Sequence, residues 1–69
     1  MMTTLINALD LQLKWCKSEH YKTFRKTYFD QAFGMLTMYN ALYPNDFSKT
    51  EKLWNEVYRP QFEELIYGV

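Results

Sequence analysis

The 69-residue chain carries eight Lys and Arg residues against eight Asp and Glu residues, and 19% of its residues are aromatic. A chain of this length has room for a single domain, residues 1–69, and buries only about 60% of the surface that its unfolded form exposes. Zero net charge argues against a dedicated nucleic-acid binder, because such proteins are usually distinctly basic. The single Cys cannot form an internal disulfide, and the N-terminus lacks an export signal, so we expect a reducing, cytoplasmic location.

The scarcity of chain-breaking residues predicts an all-α fold. Two Gly and two Pro residues leave little room for turns. We expect a small three-helix bundle, with helices near residues 3–17, 19–43 and 48–67. Because the core of so short a chain is marginal, we also expect the bundle to associate as a homodimer.

The first predicted helix begins at Thr3 or Thr4, either of which can act as its N-cap. Its apolar residues recur at helical spacing and are Leu5, Leu9, Leu13 and Cys16. Leu11 and Trp15 lie on another flank of the same helix.

The second predicted helix is apolar over much of its circumference. Its main 3-4 stripe, which we expect to be buried, consists of Tyr21, Phe24, Tyr28, Met35, Met38 and Leu42. Gln31 is the one polar interruption of this Tyr21–Leu42 stripe. A neighbouring stripe consists of Phe29, Phe33, Leu36 and Tyr43. A helix of this kind is usually central and contacted from both sides, and Gly34 would then mark a close helix crossing.

A break between the first two helices is predicted near residues 17–20. The Tyr21–Leu42 stripe, continued backwards, falls on polar positions such as Asp10, so one straight helix cannot bury both stripes. Ser18 can cap the second helix, with Glu19 in its first turn, where the helix dipole favours an acid. Lys17 then closes the first helix.

The third predicted helix has signals at both ends. Pro44 cannot continue the second helix, and the segment Ser48-Lys49-Thr50-Glu51 matches a capping box. Pro60 predicts a kink in the third helix, and Gly68 is suited to cap its C-terminus. Its buried residues are expected to be Leu53, Trp54, Val57, Tyr58, Phe62, Leu65 and Ile66.

The stretch KWCKSEHYKTFRK, residues 14–26, concentrates the basic residues of the chain around one acid. The basic residues are Lys14, Lys17, Lys22, Arg25 and Lys26. They form a candidate nucleic-acid surface, and a nucleic-acid-binding regulator is accordingly the alternative function. However, the aromatic residues between them belong to the predicted core stripe, so amphipathicity alone explains the interleaving. A solvated basic face is the simpler interpretation.

Catalysis and metal binding are not indicated. Cys16 and His20 are four residues apart, but zinc requires three or four ligands and the chain has no other Cys or His. A bundle of this size offers no deep pocket to shelter a Cys–His pair. We therefore expect no enzyme activity, no cofactor and no small-molecule substrate.

The surplus of aromatic and Met residues favours binding to protein, because a small core cannot bury every ring. We predict a non-catalytic protein–protein interaction module that self-associates or binds another protein. The candidate partner surface consists of Leu11, Trp15, Phe29, Phe33 and Tyr43. The uncharged run 31–45 is shorter than the roughly 20 residues that span a bilayer, so no membrane partner is expected. In size the chain is similar to accessory proteins of mobile elements and small regulatory systems.

Overall fold

The structure, a computed structural model, describes residues 2–68, and within that range it is helical without strands. Helix α1 spans Met2–Ser18 and helix α2 spans Lys22–Leu42. A 3-10 turn at Pro44–Asp46 leads into α3, Phe47–Leu53, which continues through a π-helical turn, Trp54–Tyr58, into α4, Arg59–Tyr67. These last three segments run on without interruption and together form the third helix. The expected all-α, three-helix architecture is confirmed.

A single core lies where the three helices meet. Its residues are Leu5, Leu9, Leu13 and Cys16 of α1, Ala32, Leu36 and Tyr39 of α2, and Trp54, Tyr58, Phe62 and Ile66 of the third helix. The α1 stripe is therefore confirmed. The third-helix stripe is confirmed at Trp54, Tyr58, Phe62 and Ile66, whereas Leu53 and Leu65 are half-buried and Val57 is exposed. Each of the three helices packs against the other two, so α2 is not the one central helix.

Helix α2 buries a different face from the one predicted. The Tyr21–Leu42 stripe is largely in solvent: Met38 and Leu42 are each 68% exposed, and Tyr28 is only half-buried. The core face is centred instead on the buried residues Ala32, Leu36 and Tyr39, rotated by roughly 90° around the helix. The prediction of a buried Tyr21–Leu42 stripe was wrong, because α1 and the third helix cover the neighbouring face.

Gly34 is also exposed, and a Cβ added there would meet nothing within 4 Å. The close crossing predicted at Gly34 is therefore absent between the described residues of this chain. An exposed Gly in the middle of a helix costs about 1 kcal/mol relative to Ala, and no packing within the chain offsets that cost.

The break between α1 and α2 falls at residues 19–21, close to the predicted position. Ser18 is the last residue of α1 rather than the cap of α2, and its hydroxyl donates to the Trp15 carbonyl at 3.1 Å. Tyr21 occupies the N-cap position of α2 without a side-chain hydrogen bond. Glu19 precedes α2, and its carboxylate accepts a bond from the Tyr21 N–H at 3.3 Å. Thr3 and Thr4 lie inside α1, so neither caps it.

Pro44 ends α2 as predicted, but Ser48 does not cap the third helix. The 3-10 turn brings the start of α3 forward to Phe47, so Ser48 already lies within the helix, and no side chain caps that N-terminus. Thr50 of the same segment is fully buried. Its Oγ1 lies 2.5 Å from the side-chain oxygen of Asn40 and 2.9 Å from the Phe47 carbonyl oxygen, which joins α3 to α2.

The predicted irregularity at Pro60 takes the form of the π-helical turn directly before it. Pro60 has no N–H and would clash with the carbonyl group four residues earlier in a regular helix. In the π turn the N–H of Arg59 instead donates to the carbonyl of Trp54, five residues back. Farther along, Gly68 has φ 68° and its N–H donates to the Glu64 carbonyl at 3.0 Å, which confirms the predicted C-terminal cap.

Candidate interaction surface

An apolar surface runs along α1 and α2 on the side away from the third helix. We call it the α1–α2 face. Helix α1 contributes Thr4, Ala8, Leu11 and Trp15. Helix α2 and its N-cap contribute the Tyr21–Leu42 stripe together with Gln31 and Gly34. Since α1 and α2 use their other flanks to contact the third helix, this face is left in solvent.

Contacts between the two helices make the α1–α2 face continuous. The rings of Trp15 and Tyr28 lie 6.1 Å apart. Toward the other end, a shallow groove of about 300 Å³ runs between Thr4 and Ala8 of α1 and Met35 and Met38 of α2. Leu11 lies between these two contacts on the same side of α1, so the face extends along the helix pair.

The α1–α2 face contains no charged side chain. The three charged residues of α1, Asp10, Lys14 and Lys17, line the groove between α1 and the third helix. On α2, Lys26 and Asp30 form an exposed ion pair at 3.3 Å on a separate, polar flank. Helix α2 has 21 residues and is therefore about 30 Å long. Contiguous exposed apolar surface of this extent usually marks a partner site.

The structure divides the predicted partner residues among three places. Leu11 and Trp15, 43% and 42% exposed, lie on the α1–α2 face. Phe33 is exposed on another side of α2, with its ring 5.9 Å from that of buried Trp54. Phe29 and Tyr43 are half-buried and pack against core rings, Phe29 on Trp54 and Tyr43 on Tyr39.

Sequence reasoning missed the α2 half of this surface. It assigned Phe24, Met35, Met38 and Leu42 to the core, although all four are exposed. The signal for them was present, because a partner-binding stripe on a helix has the same 3-4 spacing as a core stripe. What the spacing could not show was which of the two apolar stripes of α2 faces the rest of the chain.

A second groove, near Phe33, is more polar. It has a volume of about 390 Å³ and lies between α2 and the third helix. Phe33 and Phe47 line it, but so do Glu51 and Arg59. The charged lining distinguishes this groove from the α1–α2 face.

Arg25, the central residue of the basic stretch, ties three helices together. Its Nη1 donates to the Leu65 carbonyl in the last turns of α4, and its Nε donates to the Glu19 carbonyl just after α1, each at 2.8 Å. Its own carbonyl lies 3.6 Å from the Cys16 thiol, which donates to it. Carbonyl groups at helix C-termini lack partners within the helix and favour a nearby cation. Arg25 therefore stabilises the fold by joining α2 to the ends of α1 and α4.

The other basic residues lie in different surroundings. The ammonium group of Lys22 is so close to Gly68 that a Cβ there would come within 2.7 Å of it. Lys26 pairs with Asp30. Lys14 and Lys17 line a groove between α1 and the third helix that Asp10 also lines. The five basic side chains are thus divided among three environments: the α1–third-helix groove, the C-terminal end of α4 and the ion pair with Asp30.

Cys16 and His20 are not brought together for chemistry. Cys16 is fully buried, and burial raises the pKa of its thiol although nearby Arg25 acts in the opposite direction. His20 is exposed in the loop between α1 and α2. Over residues 2–68 no three His, Cys, Asp or Glu side chains cluster closely enough to hold a metal ion. In the same range, no helix has both the length and the hydropathy needed to cross a membrane.

Two buried tyrosines donate hydrogen bonds to carboxylates and hold the helices in place. Tyr39 of α2 donates to Asp46 in the 3-10 turn at 2.7 Å, and Tyr58 of the third helix donates to Asp10 of α1 at 2.5 Å. Burial, together with the bond to Asp46, raises the pKa of Tyr39 to about 12. Burial and Asp10 likewise raise the pKa of Tyr58. Both phenols stay protonated at neutral pH and act as donors.

The sequence matches no protein-family model, and neither the curated proteins nor the solved structures include a significant match to it.

Proposed function

We propose that the protein is a small, non-catalytic protein–protein interaction module whose binding surface is the α1–α2 face, with a second copy of the chain as its first partner. The observation that carries this proposal is an uncharged apolar surface along two helices of a 69-residue chain. So small a chain has few apolar residues to spare, yet it leaves a whole stripe of them outside its core.

The extent of the surface is suited to a specific complex. Its seven large exposed apolar residues are Leu11, Trp15, Tyr21, Phe24, Met35, Met38 and Leu42, and they are 36–68% exposed. Side chains of this size present about 200 Å² each when fully open, so the seven offer on the order of 700 Å². A standard protein–protein interface buries about 800 Å² on each partner.

Association would also relieve the marginal stability of the monomer. A chain this small buries a low fraction of its surface, and a partner that binds only the folded state stabilises that state by mass action. Aromatic and Met residues, which dominate the α1–α2 face, are enriched at such interfaces. No comparable observation favours nucleic-acid binding, since the side chains of Arg25 and Lys22 on α2 are directed at the C-terminal end of α4.

Analytical ultracentrifugation of three chains tests the proposal. At tens of micromolar, the wild-type chain should sediment at about twice its monomer mass of 8.4 kDa. Met38→Lys places a charge on the most exposed part of the α1–α2 face and should give a monomer. Thr37→Lys is the matched control, because Thr37 is exposed on the neighbouring polar flank, and it should remain a dimer.

A wild-type monomer at these concentrations would contradict self-association. A Met38→Lys chain that associates as well as the wild type would show that the contact lies elsewhere on the molecule.

A further inference from the structure

We infer that the second copy docks on the α1–α2 face antiparallel to the first, about a two-fold axis that runs across both helices at the level of Leu11 and Gln31. This inference rests on the proposed function and adds the arrangement of the two chains. Each helix then lies against the same helix of the other copy, α1 on α1 and α2 on α2. The contact is a four-helix layer with the third helices outside.

The level of the axis follows from the packing of α1 against α2. Trp15 lies beside Tyr28, and Ala8 lines the same groove as Met35. The two helices run antiparallel, so Leu11, midway between Ala8 and Trp15, lies at the level of Gln31. Both residues are near the middle of the face.

The order of side chains along α2 is self-complementary about Gln31. The aromatic residues Tyr21, Phe24 and Tyr28 lie 10, 7 and 3 positions before it, and the flexible residues Met35, Met38 and Leu42 lie 4, 7 and 11 positions after it, so the two halves mirror each other to within one residue. A two-fold axis at Gln31 places Tyr28 opposite Met35 of the second copy and Phe24 opposite Met38. Met sulfur atoms pack favourably against aromatic rings.

Helix α1 is complementary about the same level. A two-fold axis at Leu11 places Ala8, a small side chain, opposite the large Trp15 of the second copy. Large and small residues that alternate across a contact allow the two layers to interdigitate.

Gln31 gives the contact a defined register. It is the only polar residue of the Tyr21–Leu42 stripe, and on the axis its amide group meets the same group of the second copy. Each amide has both a donor and an acceptor, so the two can satisfy one another. A single polar residue within an apolar helix seam is a known determinant of register.

Gly34 acquires a role in this arrangement. It lies one turn from Gln31 on an open part of the face, where a Cβ would meet nothing within 4 Å. An antiparallel second copy brings the Tyr28 turn of its α2 over this position. The absence of a side chain allows the two helices to approach closely there.

A second symmetric arrangement has its axis parallel to the helices. It would place α1 against α2 of the other copy and Gln31 against Leu11. The Gln31 amide would then be buried against an aliphatic side chain, with its donor and its acceptor both unsatisfied, which is unfavourable. The antiparallel arrangement avoids this cost.

Disulfide trapping tests the position of the axis. A Gln31→Cys chain should form a covalent dimer on mild oxidation, because two residues beside a two-fold axis can come within the roughly 4.4–6.8 Å between Cα atoms that a disulfide requires. Thr37→Cys, exposed on the polar flank, is the control. The native Cys16 is fully buried and present in both chains. We expect Gln31→Cys to cross-link roughly tenfold faster or more, because pairing makes its reaction intramolecular.

Sedimentation of the same chains under reducing conditions distinguishes an error in the position of the axis from a failure of self-association. If the reduced chains are dimers but Gln31→Cys cross-links no faster than Thr37→Cys, the axis is wrong and the interaction module stands. If a mixture of Leu11→Cys and Gln31→Cys chains cross-links faster than either chain alone, the parallel axis replaces the antiparallel one. If the reduced chains are monomers, self-association itself fails.

Discussion

Replacing Arg25 by Ala should destabilise the protein far more than replacing its exposed neighbour Lys26. Arg25 donates one hydrogen bond to the Leu65 carbonyl and one to the Glu19 carbonyl, both at 2.8 Å and partly shielded from water. A hydrogen bond that involves a charged group contributes about 1.5–3 kcal/mol when buried. At partial burial we expect the lower part of that range for each of the two bonds, so Arg25→Ala should cost roughly 3–4 kcal/mol.

A loss of this size is large for so short a chain. At 0.05–0.15 kcal/mol per residue, the free energy of unfolding of the whole domain is about 3–10 kcal/mol. Lys26→Ala, by contrast, removes an exposed i,i+4 ion pair with Asp30, which contributes about 0.3–0.5 kcal/mol. Arg25→Lys should restore little of the lost stability, because one ammonium group cannot donate to the Leu65 and Glu19 carbonyls at once as the guanidinium does.

The assay is urea denaturation followed by far-UV circular dichroism, with all chains at one protein concentration because association also stabilises the fold. Equal midpoints for Arg25→Ala and Lys26→Ala would refute the assignment of Arg25 to the helix ends. In that case Arg25 would again be a candidate for binding nucleic acid.

Three further predictions concern Thr50, Tyr39 and the basic stretch. Ser48→Ala should leave the free energy of unfolding within about 0.5 kcal/mol of wild type, whereas Thr50→Ala should lower it by about 1–2 kcal/mol, because of the two only Thr50 makes a buried hydrogen bond. If urea denaturation gives the reverse order, Ser48 caps the third helix after all. The raised pKa of Tyr39 should contribute stability that is complete below its unfolded value of about 10 and is lost as the pH rises toward about 12. Tyr39→Phe should weaken this alkaline loss in a pH series of unfolding curves, and an unchanged series would contradict the Asp46 contact. Labelled oligonucleotides should bind no tighter than about 10⁻⁴ M between 50 and 200 mM salt in fluorescence anisotropy, and low-micromolar, salt-sensitive binding would favour the regulator.

The features that sequence reasoning predicted correctly depend on local chemistry. Pro44 ends α2 because it lacks an N–H, and Gly68 caps α4 because it alone adopts the left-handed conformation without strain. The α1 core stripe could be assigned because Leu5, Leu9, Leu13 and Cys16 recur at helical spacing, although the pattern does not show that polar Gln12 is buried beside them. The break near Ser18 was predicted close to its true position, although one of the two stripes used to infer it, Tyr21–Leu42, is not buried.

The features that sequence reasoning predicted wrongly depend on which helix surfaces pack against each other. Helix α2 carries two apolar stripes, and the sequence pattern favours the longer one as the main core stripe. The stripe that the chain buries is centred on Ala32, a small residue that adds little to a hydrophobic pattern. Likewise, the capping box at Ser48 was a sound local signal, but the turn after Pro44 starts the helix before Ser48 can cap it.

The candidate surface was half predicted for the same reason. Leu11 and Trp15 were assigned to it because they are off the α1 core stripe, and the structure places both on the α1–α2 face. Met38 and Leu42 were missed, since an interface stripe and a core stripe share one periodicity. Only the packing of α1 and the third helix against α2 distinguishes them.

The central claim, that the α1–α2 face binds a second copy of the chain, is tested most directly by isotope-filtered NMR. A sample is mixed from labelled and unlabelled chains, so that only contacts between chains give filtered nuclear Overhauser effects. We predict effects between the methyl group of Met38 in one chain and the ring protons of Phe24 in the other. Effects that involve Phe33 and Phe47 instead would contradict the claim. So would chains that sediment as dimers but give no effects between residues of the α1–α2 face.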